Sequence, residues 1–230
     1  MKYEGELAAG KVLDVYNKMV ADVELREGST VAAFCGAVEI AEICQPGMQV
    51  LLLKSSDDRR IIRYNILFVK TLEGWVFADP KYNRALFKEA FVHKVMEDFR
   101  EYKNCRPLKS EDLSGVDFEL SKENGEKAFV FVTSIYNKKD GMAIFPQKMN
   151  FFEIKMLDAM RKLISEGKKA YIVMIAPRED CIQAKFVWDV DTAAAAAMYD
   201  AKQAGVKFLC YGCKIEENSI SLATNMEIVY

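Results

Sequence analysis

The chain has 230 residues, of which 51% are hydrophobic and 29% are charged. This balance is typical of a globular protein with a buried core, and it excludes an intrinsically disordered chain. The longest apolar runs, such as residues 170–176, are far shorter than the roughly 20 residues that a membrane-spanning helix needs. Because the first ten residues contain two glutamates and no apolar stretch, we expect no signal peptide, no membrane partner and a cytoplasmic protein.

The first 79 residues predict a small antiparallel barrel or curled sheet. Short β-rich segments are separated by turn signals, and there is no room between them for crossover helices. The predicted strands cover residues 12–16, 19–25, 30–35, 49–53, 61–69 and 75–78.

From residue 80 onward the pattern predicts an α/β sheet with helices packed on it. Apolar positions at helical spacing predict helices over residues 83–99, 151–166 and 192–204, the last capped by Asp191. Predicted strands cover residues 116–120, 128–135, 170–176 and 206–211. The alternation of the two kinds of element is typical of an α/β architecture.

The residue types that often carry catalysis favour structural roles here. Cys210 and Cys213 have CxxC spacing, but a zinc site needs about four ligands and there is no second CxxC. The pair lies at the end of a predicted strand, so we interpret it as buried, reduced thiols. His93 is the only histidine and lies within a predicted helix beside its apolar stripe, where a structural role is favoured.

The formal charge of −2 argues against strong sequence-independent binding of nucleic acid, because such binding needs clustered cations. A local cluster remains open, because Arg59, Arg60 and Arg63 lie beside an aromatic-rich predicted strand. On a strand, Arg59 and Arg63 share one face, which suits a nucleic-acid backbone. Asp57 and Asp58 precede the cluster, so a plain solvated turn is the alternative.

Asp117 lies in an arrangement that metal-dependent nucleases use. A strand with one aspartate runs into a hairpin, then into a second strand and a helix. Such enzymes place an acid and a lysine, two residues apart, on the second strand. The carboxylates hold Mg²⁺, and the lysine orients the attacking water.

Several segments match one known family in order and spacing over most of the chain. They are residues 21–25, Pro46-Gly47, Arg59-Arg60 with Tyr64, Gly74-Trp75-Val76, Asn83 with Leu86 and Glu89-Ala90, Ser114 to Phe118, Asp140 to Pro146, and Ala201 with Gly205-Val206. On these segments the chain resembles the sugar fermentation stimulation protein family. The resemblance implies an OB-like barrel over residues 1–79 and a nuclease-type domain of the PD-(D/E)xK superfamily over residues 80–230.

The departures from the family pattern fall where its chemistry belongs. The family's Glu-Val-Lys motif aligns with Phe131-Val132-Thr133, so the acid and the lysine are both replaced. The family's Phe-Pro-Asp motif aligns with Phe145-Pro146-Gln147, so its aspartate is replaced by glutamine. Asp117 is the remnant of the site, and a single carboxylate is a poor site for Mg²⁺. We therefore expect no cofactor and a catalytically inactive member, retained as a nucleic-acid-binding or regulatory module.

Two alternatives remain open. The chain is a weak Mg²⁺-dependent DNA or RNA nuclease if Asp117 holds metal and Glu153 and Lys155 complete a rearranged site on the neighbouring helix. It is a protein-interaction scaffold if aromatic residues such as Phe151 and Phe152 are exposed.

Overall fold

The computed structural model describes residues 1, 5–109, 115–147, 149, 151–216 and 219–230. Ser114 and the side chains of Phe151, Phe152 and Thr224 lie outside the described part. The chain forms two compact units. The first comprises Met1–Tyr82, Pro177–Asp180 and Lys214–Ile220, and the second comprises Asn83–Ala176, Cys181–Cys213 and Ser221–Tyr230.

The first unit is a closed five-stranded barrel with a sixth strand added at one side. Its elements are β1 (Leu7–Tyr16), β2 (Val20–Leu25), β3 (Thr30–Phe34), helix α1 (Val38–Ile43), β4 (Gln49–Lys54), β5 (Tyr64–Thr71) and β6 (Gly74–Phe77). The strand order is β3-β2-β1-β4-β5-β6, and a parallel pairing of β3 with β5 closes the barrel. The predicted barrel is therefore confirmed, with alternate side chains such as Val12, Val23 and Val50 buried inside it.

Three details of the barrel differ from the sequence-based prediction. Strand β1 begins at Leu7 rather than at residue 12. Strand β5 begins at Tyr64 rather than at residue 61, because residues 61–63 form a bend. Helix α1 was not predicted, since its six residues are too few to show a helical period.

The second unit is a mixed sheet with helices packed on it, as predicted. The strands of this sheet are β7 (Asn104–Pro107), β8 (Phe118–Ser121), β9 (Lys127–Ser134), β10 (Lys138–Lys139), β11 (Met142–Phe145), β12 (Lys169–Ala176), β13 (Gln183–Phe186), β14 (Lys207–Glu216) and β15 (Ser219–Val229). The end of β14 from Lys214 and the start of β15 up to Ile220 are counted with the first unit. They lie in the order β10-β11-β13-β15-β14-β12-β9-β8-β7. The helices are α2 (Asn83–Val92), α3 (Phe151–Ser165) and α4 (Thr192–Gln203), and Asp191 caps α4 by accepting a 3.0 Å hydrogen bond from the Ala194 N–H.

The predicted continuation of α2 to residue 99 is wrong. The helix ends at Val92, because Lys94 adopts a left-handed conformation with φ 54°. The Lys94 and Val95 N–H groups donate back to the Phe91 and Ala90 carbonyls, which is a Schellman motif. Lysine occupies the position that usually holds glycine, so the sequence carried no stop signal there.

His93 therefore follows the helix, and it is exposed rather than packed in the core. The cysteine pair of β14 is buried and is not in a disulfide bond. Burial and the neighbouring Cys181 raise the pKa of the Cys210 thiol to about 12, so this group is not a ready thiolate. Within the described residues, no helix is both long enough and apolar enough to cross a membrane.

Candidate functional site

Asp117 lies immediately before β8, against the neighbouring strand β9. Its backbone N–H donates to the Val130 carbonyl over 2.9 Å. Its carboxylate oxygen Oδ2 accepts a 2.8 Å hydrogen bond from the Val132 N–H. The regular antiparallel register of β8 and β9 begins one residue later, where Phe118 pairs with Val130.

The other carboxylate oxygen of Asp117 contacts Arg84 in the first turn of α2. Arg84 Nη1 lies 3.1 Å from Asp117 Oδ1, and Nη2 donates to the backbone carbonyls of Leu108 and Asp117 over 2.9 and 3.1 Å. The guanidinium also lies 5.2 Å from the centre of the Phe118 ring. These contacts hold Arg84 in one orientation and give the Asp117 carboxylate a cation from the chain itself.

A buried hydrogen bond holds the start of α2 against β9. The Ser134 hydroxyl donates to Asn83 Oδ1 over 2.8 Å, and both residues are buried. Because Arg84 is the next residue, this contact fixes the position from which Arg84 reaches Asp117.

The Asp117 carboxyl has a raised pKa because it is buried. The Val132 N–H and the Arg84 guanidinium both favour the charged form, but burial is the larger effect. The carboxylate is thus partly desolvated and already has a hydrogen-bond donor or cation at each oxygen.

The positions where the family has its acid and lysine hold no charge in this chain. Phe131 and Thr133 lie on the same face of β9, and Phe131 packs against the core residues of the second unit. A benzyl group and a hydroxyl supply neither a metal-binding carboxylate nor an amine.

Gln147 replaces the aspartate of the family's Phe-Pro-Asp motif, and its side chain makes structural hydrogen bonds. Its Oε1 accepts hydrogen bonds from the Tyr136 and Asn137 N–H groups over 2.5 and 3.3 Å, just beyond the end of β9. Its Nε2 donates to the Ser134 carbonyl over 3.5 Å. The side chain thus ties the end of the strand to the segment that follows β11.

Glu119, the second residue of β8, belongs to a different set of ion pairs from Asp117. Its carboxylate lies 3.4 Å from Arg106 Nη2 and 3.2 Å from Lys127 Nζ. These partners come from the flanking strands β7 and β9, so Glu119 serves cross-strand pairing.

Glu153 and Lys155 lie in the first turns of α3. Glu153 is half-buried and Lys155 is exposed. The helix passes close to the segment before Asp117, since a Cβ at Gly115 would lie 2.7 Å from the Cβ of Met156. Across the described residues, however, no group of three or more His, Cys, Asp or Glu side chains is placed to hold a metal ion. The described residues therefore do not fit a Mg²⁺ site of the kind that the family pattern implies.

The structure does not support the arrangement predicted for the arginine cluster. Arg59 and Arg63 do not share a strand face, because both lie in the loop before β5. Arg59 Nε lies 2.9 Å from Asp57 Oδ1, and Arg63 pairs with Asp58. Arg60 donates to the Asn65 side chain over 3.2 Å.

A closed barrel with an OB-like strand order, together with a mixed sheet that has helices packed on it, defines the class of this protein. The model of the "Sugar fermentation stimulation protein RE domain" matches residues 81–219. The chain therefore belongs to the sugar fermentation stimulation protein family, as the resemblance implied.

Curated relatives match the chain over nearly its whole length. A sugar fermentation stimulation protein homolog from Jannaschia sp. (strain CCS1) is 28% identical, over 96% of this chain and 94% of the relative. The homolog from Maricaulis maris (strain MCS10) is 26% identical, over 99% and 98%. The solved structure of Pyrococcus furiosus SfsA in complex with Ca²⁺ superposes with a TM-score of 0.85 at 20% identity and covers both chains completely, which confirms the fold.

Arg84, the partner of Asp117, was not predicted as a site residue. Arg84 and Asp117 are 33 residues apart on different elements. No local pattern marks such a pair.

Proposed function

We propose that this protein is a nucleic-acid-binding member of its family whose nuclease-type site does not cleave. One observation supports the second part of the proposal, which is that the site does not cleave. The Asp117 carboxylate is paired with Arg84 and with the Val132 N–H, and the neighbouring strand β9 carries Phe131 where the family pattern has a metal-binding acid.

The electrostatics of the site support this reading. A catalytic carboxylate that holds Mg²⁺ shares the ion with other carboxylates and with substrate phosphate. Here a fixed guanidinium already balances the charge of Asp117, and a divalent cation would have to displace it. The Pyrococcus furiosus structure is described with Ca²⁺, whereas the described residues of this chain form no group of three or more His, Cys, Asp or Glu side chains that could hold a metal ion.

Nucleic-acid binding is supported by the architecture. Barrels of the OB type bind oligonucleotides on their outer strands and loops, and the family pairs this barrel with a sheet of nuclease type. Because fold alone does not determine function, the binding has to be demonstrated directly.

Binding and cleavage are tested on the same purified chain. Anisotropy with labelled single- and double-stranded DNA and RNA, in chelator, measures binding. Gel assays with Mg²⁺ or Mn²⁺ measure cleavage, and calorimetry measures the metal itself. We expect nucleic-acid binding without cleavage. We also expect the same heat of metal binding for the wild type and for Asp117→Asn.

The possible outcomes separate the two halves of the proposal. Failure to bind any of the four probes overturns nucleic-acid binding. Metal-dependent cleavage that disappears in Asp117→Asn overturns the inactive site and establishes the second candidate, a weak nuclease. The close approach of Gly115 to α3 favours that candidate, with Glu153 and Lys155 as its further residues, and loss of cleavage in Glu153→Gln would identify the acid.

A further inference from the structure

We propose that a concave surface on the outside of the barrel binds single-stranded nucleic acid, with Trp75 stacking on a base and Lys11 and Arg26 contacting phosphates. We call this surface the barrel groove. It has a volume of about 460 Å³, and the residues that define it are Ala9, Lys11, Arg26, Gly28, Leu51 and Trp75. The inference rests on the proposed function and assigns it to particular residues.

The alternation of the barrel strands places these side chains outside. Val12 and Val50 point into the barrel, so Lys11 and Leu51, their neighbours along β1 and β4, point outward. Ala9 pairs with Leu51 across the two strands. The groove therefore runs over the outer face of the sheet.

A small residue forms the floor of the groove, and larger features form its walls. Ala9, whose side chain is a single methyl group, leaves the surface low between the flanking strands. One wall is the turn between β2 and β3, in which the Gly28 N–H donates to the Leu25 carbonyl over 2.9 Å. Gly28 has φ 87°, and no atom lies within 4 Å of where its Cβ would be, so this wall is open to solvent.

Trp75 on β6 forms the opposite wall. Its indole ring is half-buried and is held edge-on by Phe68, with ring centres 6.3 Å apart and an interplanar angle of 79°. The Lys70 ammonium lies 5.1 Å from the indole centre and adds a positive charge beside the ring. A rigid aromatic ring next to cations is the arrangement on which unpaired bases stack.

The cations of the barrel groove are available for a ligand. Within the part of the chain that the structure describes, Lys11 and Arg26 make no ion pair, whereas Arg59 and Arg63 are each paired with an aspartate. Glu24 is the acidic residue among those that line the groove. The local charge therefore favours an anionic ligand even though the whole chain carries −2.

A single strand fits these features better than a duplex. Its bases expose their faces to a protein ring, whereas duplex bases are stacked on one another. The volume of the groove also falls in the range of sites that bury a small organic group such as one nucleotide.

The chain contains two tryptophans, which makes the proposal directly testable. Trp188→Phe leaves Trp75 as the reporter, and Trp75→Phe leaves Trp188, which is 49% exposed. Titration with unlabelled oligothymidylate should quench the fluorescence of Trp188→Phe and leave that of Trp75→Phe unchanged. Oligouridylate in a parallel titration distinguishes DNA from RNA as the preferred strand.

Affinity measurements on matched charge variants complete the test. We expect Trp75→Ala, which removes the stacking ring, to bind labelled oligothymidylate at least about fivefold more weakly. The plot of log K against log salt has a negative slope. The double variant Lys11→Gln with Arg26→Gln should make this slope less steep by about 1.4, because two phosphate contacts are lost. Arg59→Gln with Arg63→Gln removes the same charge elsewhere and should have a smaller effect.

Failure of the inference can be told apart from failure of the proposed function. If the wild-type chain binds no oligonucleotide, both are wrong. If it binds but Trp75 is not quenched, or the Arg59 and Arg63 double variant loses more affinity than the Lys11 and Arg26 one, the barrel groove is wrong and the proposed function stands. Thermal unfolding of each variant confirms that the compared proteins are folded.

Discussion

Arg84 and Asp117 form an ion pair in which Nη1 of the guanidinium lies 3.1 Å from Oδ1 of the carboxylate. The aspartate that the family pattern marks as a nuclease remnant is thus part of the chain's own hydrogen-bond network. Its energetic role can be measured without knowing any ligand.

Arg84→Leu should lower the free energy of unfolding by about 1–2 kcal/mol, because Asp117 loses its cation and two backbone carbonyls lose a donor. The expected loss of unfolding free energy is small because the Arg84 side chain is 46% exposed, and solvent weakens the ion pair. Urea denaturation of Arg84→Leu, Asp117→Asn and the double variant gives the coupling energy, which should be favourable. Arg100→Leu removes the exposed pair with Glu97 and should cost no more than about 0.5 kcal/mol. A coupling energy of zero would show that the pair does not stabilise the fold.

The pH dependence of stability should reveal the buried carboxyl. The pKa of Asp117 is raised above its ordinary value of 3.8 in the folded chain, so the folded state holds this proton more tightly than the unfolded state does. The contribution of Asp117 to stability is therefore greatest when the group is protonated. It is lost as the pH rises from about 3.8 through the raised pKa, and then stays constant.

The comparison with Asp117→Asn isolates this effect from the other carboxyls. The free energy of unfolding of the wild type, minus that of the variant, should fall over the acid range and level off toward neutral pH. Urea denaturation at a series of pH values measures it. A difference that grows with pH would mean that the attraction of Arg84 outweighs burial.

Gln147→Ala should destabilise the chain by about 1–3 kcal/mol, because the N–H groups of Tyr136 and Asn137 lose their acceptor. Gln147→Asp, which restores the family's residue, keeps an acceptor and should cost less. Thermal or urea unfolding compares the two variants. Equal losses would contradict a role for the hydrogen bonds.

Gly115→Ala should destabilise the fold more than Gly125→Ala does. Both glycines have positive φ, 79° and 85°, so each substitution carries a similar backbone strain of about 1 kcal/mol. Only at Gly115 does the new Cβ meet another atom, 2.7 Å from the Cβ of Met156 in α3. The extra loss, about 1–3 kcal/mol, measures the packing of α3 beside the Asp117 segment. Similar losses of unfolding free energy in the two variants would show that the Gly115 segment accommodates the new methyl group without loss of stability.

Local patterns predicted the barrel strands and the helices α3 and α4 well, whereas the 11-residue strand β15 was not predicted. Alternation and turn residues mark strands such as β2 and β4, and a cap marks α4, because these signals depend on neighbours in the chain. The end of α2 was missed because Lys94 occupies a conformation that usually selects glycine. Strand β13 was missed because four residues between loops are too few to show a period.

The sequence by itself determined the family, the two kinds of architecture and the replacement of the family's acid and lysine at Phe131 and Thr133. Only the tertiary structure decided which charges meet. It paired Arg84 with Asp117 and left Lys11 and Arg26 beside Trp75 on the barrel. It also brought Pro177 to the barrel, where its carbonyl accepts from the Phe77 N–H across 100 residues of chain. The reason is physical: periodicity acts over a few residues, whereas an ion pair or a backbone hydrogen bond depends on distance in space and carries no mark along the sequence.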